Sequence, residues 1–396
     1  MTLNNFSRDC SISFSSDGTF EKIYFIISVL LLAGCAKSLI QISSNKSETF
    51  HPMFGKNSQR NFYYDVYSSD SLKLLWTADA FGSFNNSSVV ASDSMIFIGD
   101  LAGRVHVFNL ENGKQRGVLK TKGAIFSTPL LYKFRIYYPL VKDGKQLTEF
   151  IVYDFFAGKD LYIIEIEDLI TNQMLSDNDA IYLFAEDGTI YKYNYEAKLI
   201  WSVETNQNLH FVPAMKNGKI FLGNDAGEFI VIDSRNGKIL HREKLAKSIF
   251  SGASIDNNLC YFGDDEGNLF AMDIDSYKIK FKVKTDGRIL MNPSVDERNI
   301  YLGNMKRMFY CIDKNDGKII WSKKMKGYFN STPVVTKNRL FVPNLFKSLL
   351  IVDKSNGELL KEVEFDNRAK LSPVIINNKI IIGYDEGVIA AYEFVN

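Results

Sequence analysis

Apolar and polar positions repeat along the second half of the chain with a spacing of 40 residues: Gly223, Gly263, Gly303, Pro343 and Gly383 each follow an apolar pair, and Asp233, Asp273, Asp313 and Asp353 recur ten residues further on. A period of this length marks a repeat architecture. Within one repeat, an apolar stretch at 332–335 meets the polar turn Lys337-Asn338, and a second at 339–342 meets another turn. A third at 348–352 meets Asp353-Lys-Ser-Asn-Gly357, and a fourth runs over 358–363. Four short strands at turn spacing predict one antiparallel sheet.

Carried back along the chain, the register starts repeats near Asn86, Ser127, Met174, Val212, Gly252, Asn292, Thr332 and Ser372, eight in all. Residues 68–396 then allot about 41 positions to each, within the propeller range. The expected fold is all-β: an eight-bladed β-propeller of four-stranded antiparallel blades. The last repeat stops after its third strand, and Leu72-Lys-Leu-Leu-Trp76, which matches the fourth strand ending at Trp321, supplies the missing one. The N-terminal strand thus closes the ring and removes two open sheet edges. Third strands are apolar on both faces, Phe229 and Val231 against Ile230 and Ile232, as expected when blades stack on blades.

The N-terminal part does not follow the period. Residues 23–32 form a ten-residue apolar run, too short to span a bilayer, placed as in a secretory signal. Leu32-Ala33-Gly34-Cys35 resembles the lipobox of bacterial lipoproteins. That resemblance implies cleavage before Cys35 and acylation of its thiol, palmitate included, so that the membrane holds the protein without a spanning helix. The same resemblance implies, from Ala36 where retained lipoproteins carry Asp, an outer-membrane address facing the periplasm. The expected organisation is a signal peptide over 1–35, a tether and lead-in segment over 36–67, and the propeller over 68–396.

Composition narrows the chemistry. With 47 Lys+Arg against 46 Asp+Glu the chain offers no field that would gather nucleic acid, and none is expected as a partner. The setting of the recurring carboxylates Asp154, Asp233, Asp273, Asp313 and Asp353 is Asp-x-x-(Asn/Asp)-Gly in several copies, where Asp accepts backbone N–H bonds in a turn. No metal site is expected, because His51, His106, His210 and His241 are scattered. Cys260 and Cys311 align with core strand positions and are read as buried single thiols, although a bridge between adjacent blades stays open.

The motifs Gly267-Asn-Leu-Phe-Ala271-Met-Asp273 and Asp313-Lys-Asn-Asp-Gly317-Lys-Ile-Ile-Trp321 resemble the quinoprotein-like, or PQQ-type, β-propeller family over residues 51–396. His51 to Arg60 is similar to the segment that leads into such propellers. The family's enzymes carry adjacent cysteines, calcium ligands and a nearly complete ring of docking tryptophans. This chain has Trp76, Trp201 and Trp321, with His241, Phe281 and Lys361 at equivalent positions, so no cofactor and no catalytic residue are expected. Lipobox and eight blades together resemble the family's lipid-anchored members in the machinery that folds outer-membrane β-barrels. That resemblance implies a non-enzymatic scaffold, a monomer within a complex, docking a periplasmic POTRA domain through connections near blades three to five. The corresponding positions are Asn208, Leu209, His210, Lys247, Ile249 and Phe250, in segments lacking the Leu-x-Leu-Arg and Asp-x-Asp patterns of those members. A PQQ-dependent periplasmic oxidoreductase and a surface lipoprotein that binds another protein or a carbohydrate are the alternatives.

Overall fold

The computed structural model describes residue 40, residues 49–92 and residues 94–395. The signal segment and the lipobox residues Leu32, Ala33, Gly34 and Cys35 lie outside the described residues. Among the described residues the strands form eight antiparallel sheets. Blade 4 is typical: Ala214–Lys216, Lys219–Gly223, Glu228–Asp233 and Ile239–Lys244 pair in chain order, innermost to outermost. Alternation with both faces apolar buries Phe229, Ile230, Val231 and Ile232 completely, because each blade is covered on both sides by its neighbours. The expected Asp turns are present: Asp233, Asp313 and Asp353 each accept the backbone N–H of the second residue beyond, and Gly237, Gly317 and Gly357 have positive φ.

The ring closes as the repeats require. Leu72–Asp79 pairs antiparallel with Val388–Phe394 and becomes the outermost strand of blade 8, so that blade is built from both ends of the propeller. A second closure runs round the inner strands as hydrogen bonds from blade to blade. Ser88 N donates to Thr128 Oγ1, Thr128 N to Gln173 Oε1, Asn172 Nδ2 to Leu209 O and Ala253 N to Val212 O. Ser254 and Ser294 hydroxyls donate to Pro293 O and Pro333 O, Thr332 N to Ser372 Oγ, and Ser372 N to Ser87 O. Every blade is thereby tied to the next.

The outer seams use the closing aromatic of each repeat. Trp321 of blade 6 lies over Gly357 in the Asp turn of blade 7, and its indole N–H donates to Lys354 O at 3.0 Å. Trp76 lies likewise over Gly113 and donates to Leu110 O, and Trp201 lies over Gly237 and donates to Ser234 O. Phe281 fills the same place over Gly317. At the seam between blades 4 and 5, His241 stacks on Tyr277 with centroids 5.1 Å apart, and Tyr277 takes the left-handed φ that glycine takes elsewhere.

The lead-in segment does more than its polar, aperiodic sequence suggests. Thr49–His51 adds a fifth strand inside blade 1. Pro52, Ser58, Gln59, Asn61 and Phe62 then present carbonyls to the inner strands, accepting from Leu131, Met215, Ile255, Val295 and Val335 N–H at 2.7–3.0 Å. The last four donors are one repeat apart, so the segment plugs the axis by pairing with equivalent backbone groups of successive blades. Phe54, Arg60, Phe62 and Tyr64 are buried there.

Trp321→Ala is expected to lower stability by about 3 kcal/mol through lost packing. Gly357→Ala is expected to cost about 1–2 kcal/mol from its left-handed backbone alone, with more from a Cβ placed 2.7 Å from Trp321 Cε3. Urea midpoints of the two variants and their combination check this. Because the ring and the glycine form one contact, the two effects should fall short of additive.

Candidate functional site: the connection face and its central funnel

One face of the ring is built from the inter-blade connections and the second turn of each blade, and backbone bonds hold the two together. Leu101 N donates to Ser83 O, Asp225 N to Asn208 O, Asp265 N to Ser248 O, Met305 N to Arg288 O, Leu345 N to Tyr328 O and Asp385 N to Arg368 O. Where a second strand ends in glycine, a connection residue drops an apolar side chain into the core beside it. Ile249 covers Gly223, Ile289 covers Gly263, Phe329 covers Gly303 and Leu371 covers Gly383. A Cβ on Gly223 would sit 2.5 Å from Ile249 Cγ2, which explains why glycine recurs there with the period of the repeat.

This geometry separates the six candidate docking residues. Leu209 and Ile249 are 2% and 0% exposed; they are core residues, and no partner can touch them without unfolding the seam. Asn208, His210 and Lys247 are exposed, and His210 Nδ1 lies 2.7 Å from Asp225 Oδ2. Phe250 is half-buried and faces the axis, where with Phe126, Asn85, Asn86, Asn292 and Asn330 it lines a funnel of about 340 Å³. Phe54 of the plug contributes to the same lining. The sequence pattern carried no sign of this plug, because its partners are backbone N–H groups that any residue supplies.

Two plug residues have altered acid–base behaviour. Burial pushes the Arg60 guanidinium down to about 9, so it remains charged at neutral pH. It donates to Met174 O at 2.5 Å and lies 5.6 Å from the Phe54 ring centroid, while its Nε and Nη1 have no hydrogen-bond partner among the described residues. Burial, helped by the nearby Lys56 charge, pushes His51 down to about 3, and its Nε2 meets the Tyr64 hydroxyl at 3.1 Å.

A quinone cofactor of the PQQ class is a tricarboxylate and requires cations. Among the described residues the funnel is lined by amides, hydroxyls, apolar groups and His210; its one carboxylate is Glu186, and no Lys, Arg or Cys reaches it. Cys260 and Cys311 are free thiols buried inside blades 5 and 6. Among the described residues no three His, Cys, Asp or Glu side chains are grouped to hold a metal ion. The residues present do not fit that cofactor.

Eight stacked blades built on four strands, one of them extended by a fifth, closing aromatics on turn glycines and a strand shared between the two ends define a propeller of the PQQ-like repeat class. The chain belongs to the family described as outer membrane protein assembly factor BamB, whose model matches residues 140–323 and 278–394. No curated protein matches the chain. Among solved structures, BamB from Moraxella catarrhalis superposes with a TM-score of 0.70 at 12% identity, covering 82% of this chain and 100% of that one. The computationally designed Ika8 protein gives 0.70 at 14% identity, with 81% and 99% covered. Quinohemoprotein alcohol dehydrogenase from Comamonas testosteroni gives 0.72 at 11% identity, with 87% and 80% covered. At these identities the likeness is one of fold.

His51 makes the plug sensitive to acid. Its pKa is about 3 folded against about 6.5 unfolded, so the unfolded chain binds the extra proton between those values. Stability is then full above pH 6.5 and falls as pH drops, by on the order of 3 kcal/mol at pH 4. His51→Gln should flatten the stability–pH curve between pH 6.5 and 4, measured by urea denaturation; an unchanged slope would contradict a buried neutral imidazole.

Proposed function

We propose that this chain is a non-enzymatic, lipid-anchored scaffold of the machinery that assembles β-barrels in the outer membrane. Acylated Cys35 holds it to the membrane, and the propeller faces the periplasm, where the connection face contacts a POTRA domain of the barrel-assembly protein. Membership of the BamB family carries this reading. The funnel supports it, since a site without cations or a metal-binding group is poorly suited to the cofactor chemistry known on this fold. A rigid ring presenting short loops is a binding frame, with the sites on the loops.

The second reading, a PQQ-dependent oxidoreductase, is favoured by the structural likeness to the Comamonas testosteroni enzyme. The two separate in solution. Under the scaffold reading, PQQ with calcium produces no absorbance change and no dye reduction. Deleting the gene should lower the amount of barrel proteins in the outer membrane, and labelled palmitate should enter the wild-type chain but not Cys35→Ala. Unchanged barrel levels, or dye reduction on adding the cofactor, would contradict the scaffold reading.

A further inference from the structure

The axial funnel is built to accept hydrogen bonds rather than to give them. Asn85, Asn172 and Asn292 enter it from the connections that lead into blades 1, 3 and 6, and so from different sides of the ring. Each spends its amide N–H on a backbone carbonyl: Asn85 Nδ2 donates to Phe126 O at 3.0 Å, Asn172 Nδ2 to Leu209 O at 2.9 Å and Asn292 Nδ2 to Ala253 O at 3.0 Å. A carbonyl can only accept, so these bonds fix which way each amide is turned. Asn172 and Asn292 are 9% and 2% exposed, yet their Oδ1 atoms take no hydrogen bond among the described residues and are not enclosed by protein. Those oxygens therefore open onto the funnel that the two side chains line. Glu186 joins them from the second turn of blade 3: Thr171 Oγ1 donates to its Oε1 at 2.7 Å, which leaves Oε2 for a ligand.

Half-buried Phe126 and Phe250 give the same space apolar walls. Inward-turned carbonyl oxygens, one carboxylate and phenyl faces are what a positively charged nitrogen on an aliphatic stem requires. The oxygens take its N–H groups, the carboxylate offsets its charge, and the rings cover the stem. A neutral sugar fits less well, because its hydroxyls need donors as well as acceptors and the three fixed amides supply acceptors only. Asn86 and Asn330, whose Nδ2 atoms have no hydrogen-bond partner among the described residues, can turn to suit either. The charge belongs toward Glu186 and not at the floor, since the Arg60 guanidinium already lies 5.6 Å from the centroid of the Phe54 ring. His210, the other titratable group in the lining, is held by Asp225 Oδ2 at 2.7 Å.

The geometry points to a binding site for an organic cation, a primary ammonium or guanidinium group on an aliphatic stem. Glu186 is its counter-charge, and Asn85, Asn172 and Asn292 accept its N–H groups. At about 340 Å³ the funnel is at the small end of ligand sites. A free polyamine and a lysine or arginine side chain projecting from another protein carry the same group, and either enters from the connection face. This goes beyond the scaffold reading and does not rest on it.

Calorimetric titration of the full-length chain uses two probes: spermidine, and a short capped peptide with one central lysine, whose norleucine counterpart is the uncharged control. Binding of spermidine without the peptide would assign the site to a free amine, and lysine-dependent binding of the peptide to a protein side chain; either supports the site. Glu186→Gln, which keeps an acceptor for Thr171, should weaken the probe that binds by about tenfold and reduce its salt dependence. Phe250→Leu should weaken it by about threefold. Phe156→Ala, a 47% exposed aromatic in an Asp turn on the other face, should bind as wild type. Circular dichroism and urea midpoints confirm that each variant is folded. Failure of both probes with the wild-type chain, equal binding of the norleucine peptide, displacement of the probe by a neutral disaccharide, or unchanged binding by Glu186→Gln would overturn the site and leave the scaffold reading standing.

Discussion

A blade of this protein is apolar on both faces, and that constraint governs the rest of the structure. One four-stranded sheet such as Glu228–Asp233 with its neighbours cannot bury Phe229 and Ile230 at once unless another sheet lies on each side. The requirement passes from blade to blade and is met only when the ring is complete. Pairing of Leu72–Asp79 with Val388–Phe394 is therefore the contact on which the others depend. The seams are the local expression of the same need, and the plug adds a third tie by joining inner strands that are far apart in sequence.

A ring closed in this way is a stiff frame, and its variation is confined to the turns and connections. The connections serve two masters. Their buried residues, Ile249 and Phe329 among them, lock each turn to the core, and their exposed residues give the face its chemistry. Blades of nearly equal backbone can thus carry loops of different chemistry. The axis, which in a cofactor enzyme would be the reaction chamber, is a shallow funnel here because Phe54 and the rest of the plug occupy it.

Much of this was legible in the sequence. The 40-residue period located the blades, the shared strand and the Asp turns because each rests on residue types that only certain backbone positions accept. Trp76, Trp201 and Trp321 marked seams for the same reason, although the His241–Tyr277 pair shows that a seam can be made without Trp or Gly. The plug left no pattern, since it pairs through carbonyls and obeys no period. Leu209 and Ile249 were misplaced as contact residues because an apolar side chain in a connection looks the same whether it points to solvent or into the core. The contact of Ile249 with the strand-ending Gly223 decides it.

The central claim is that the propeller holds a place in barrel assembly by binding the barrel-assembly protein. The most direct measurement is affinity co-purification of the lipidated chain from gently solubilised native membranes, with mass spectrometry of what accompanies it. Recovery of the barrel-assembly protein in stoichiometric amount is expected. Its absence, with a redox carrier or a cell-wall component in its place, would contradict the account and make the propeller a binding module of another system.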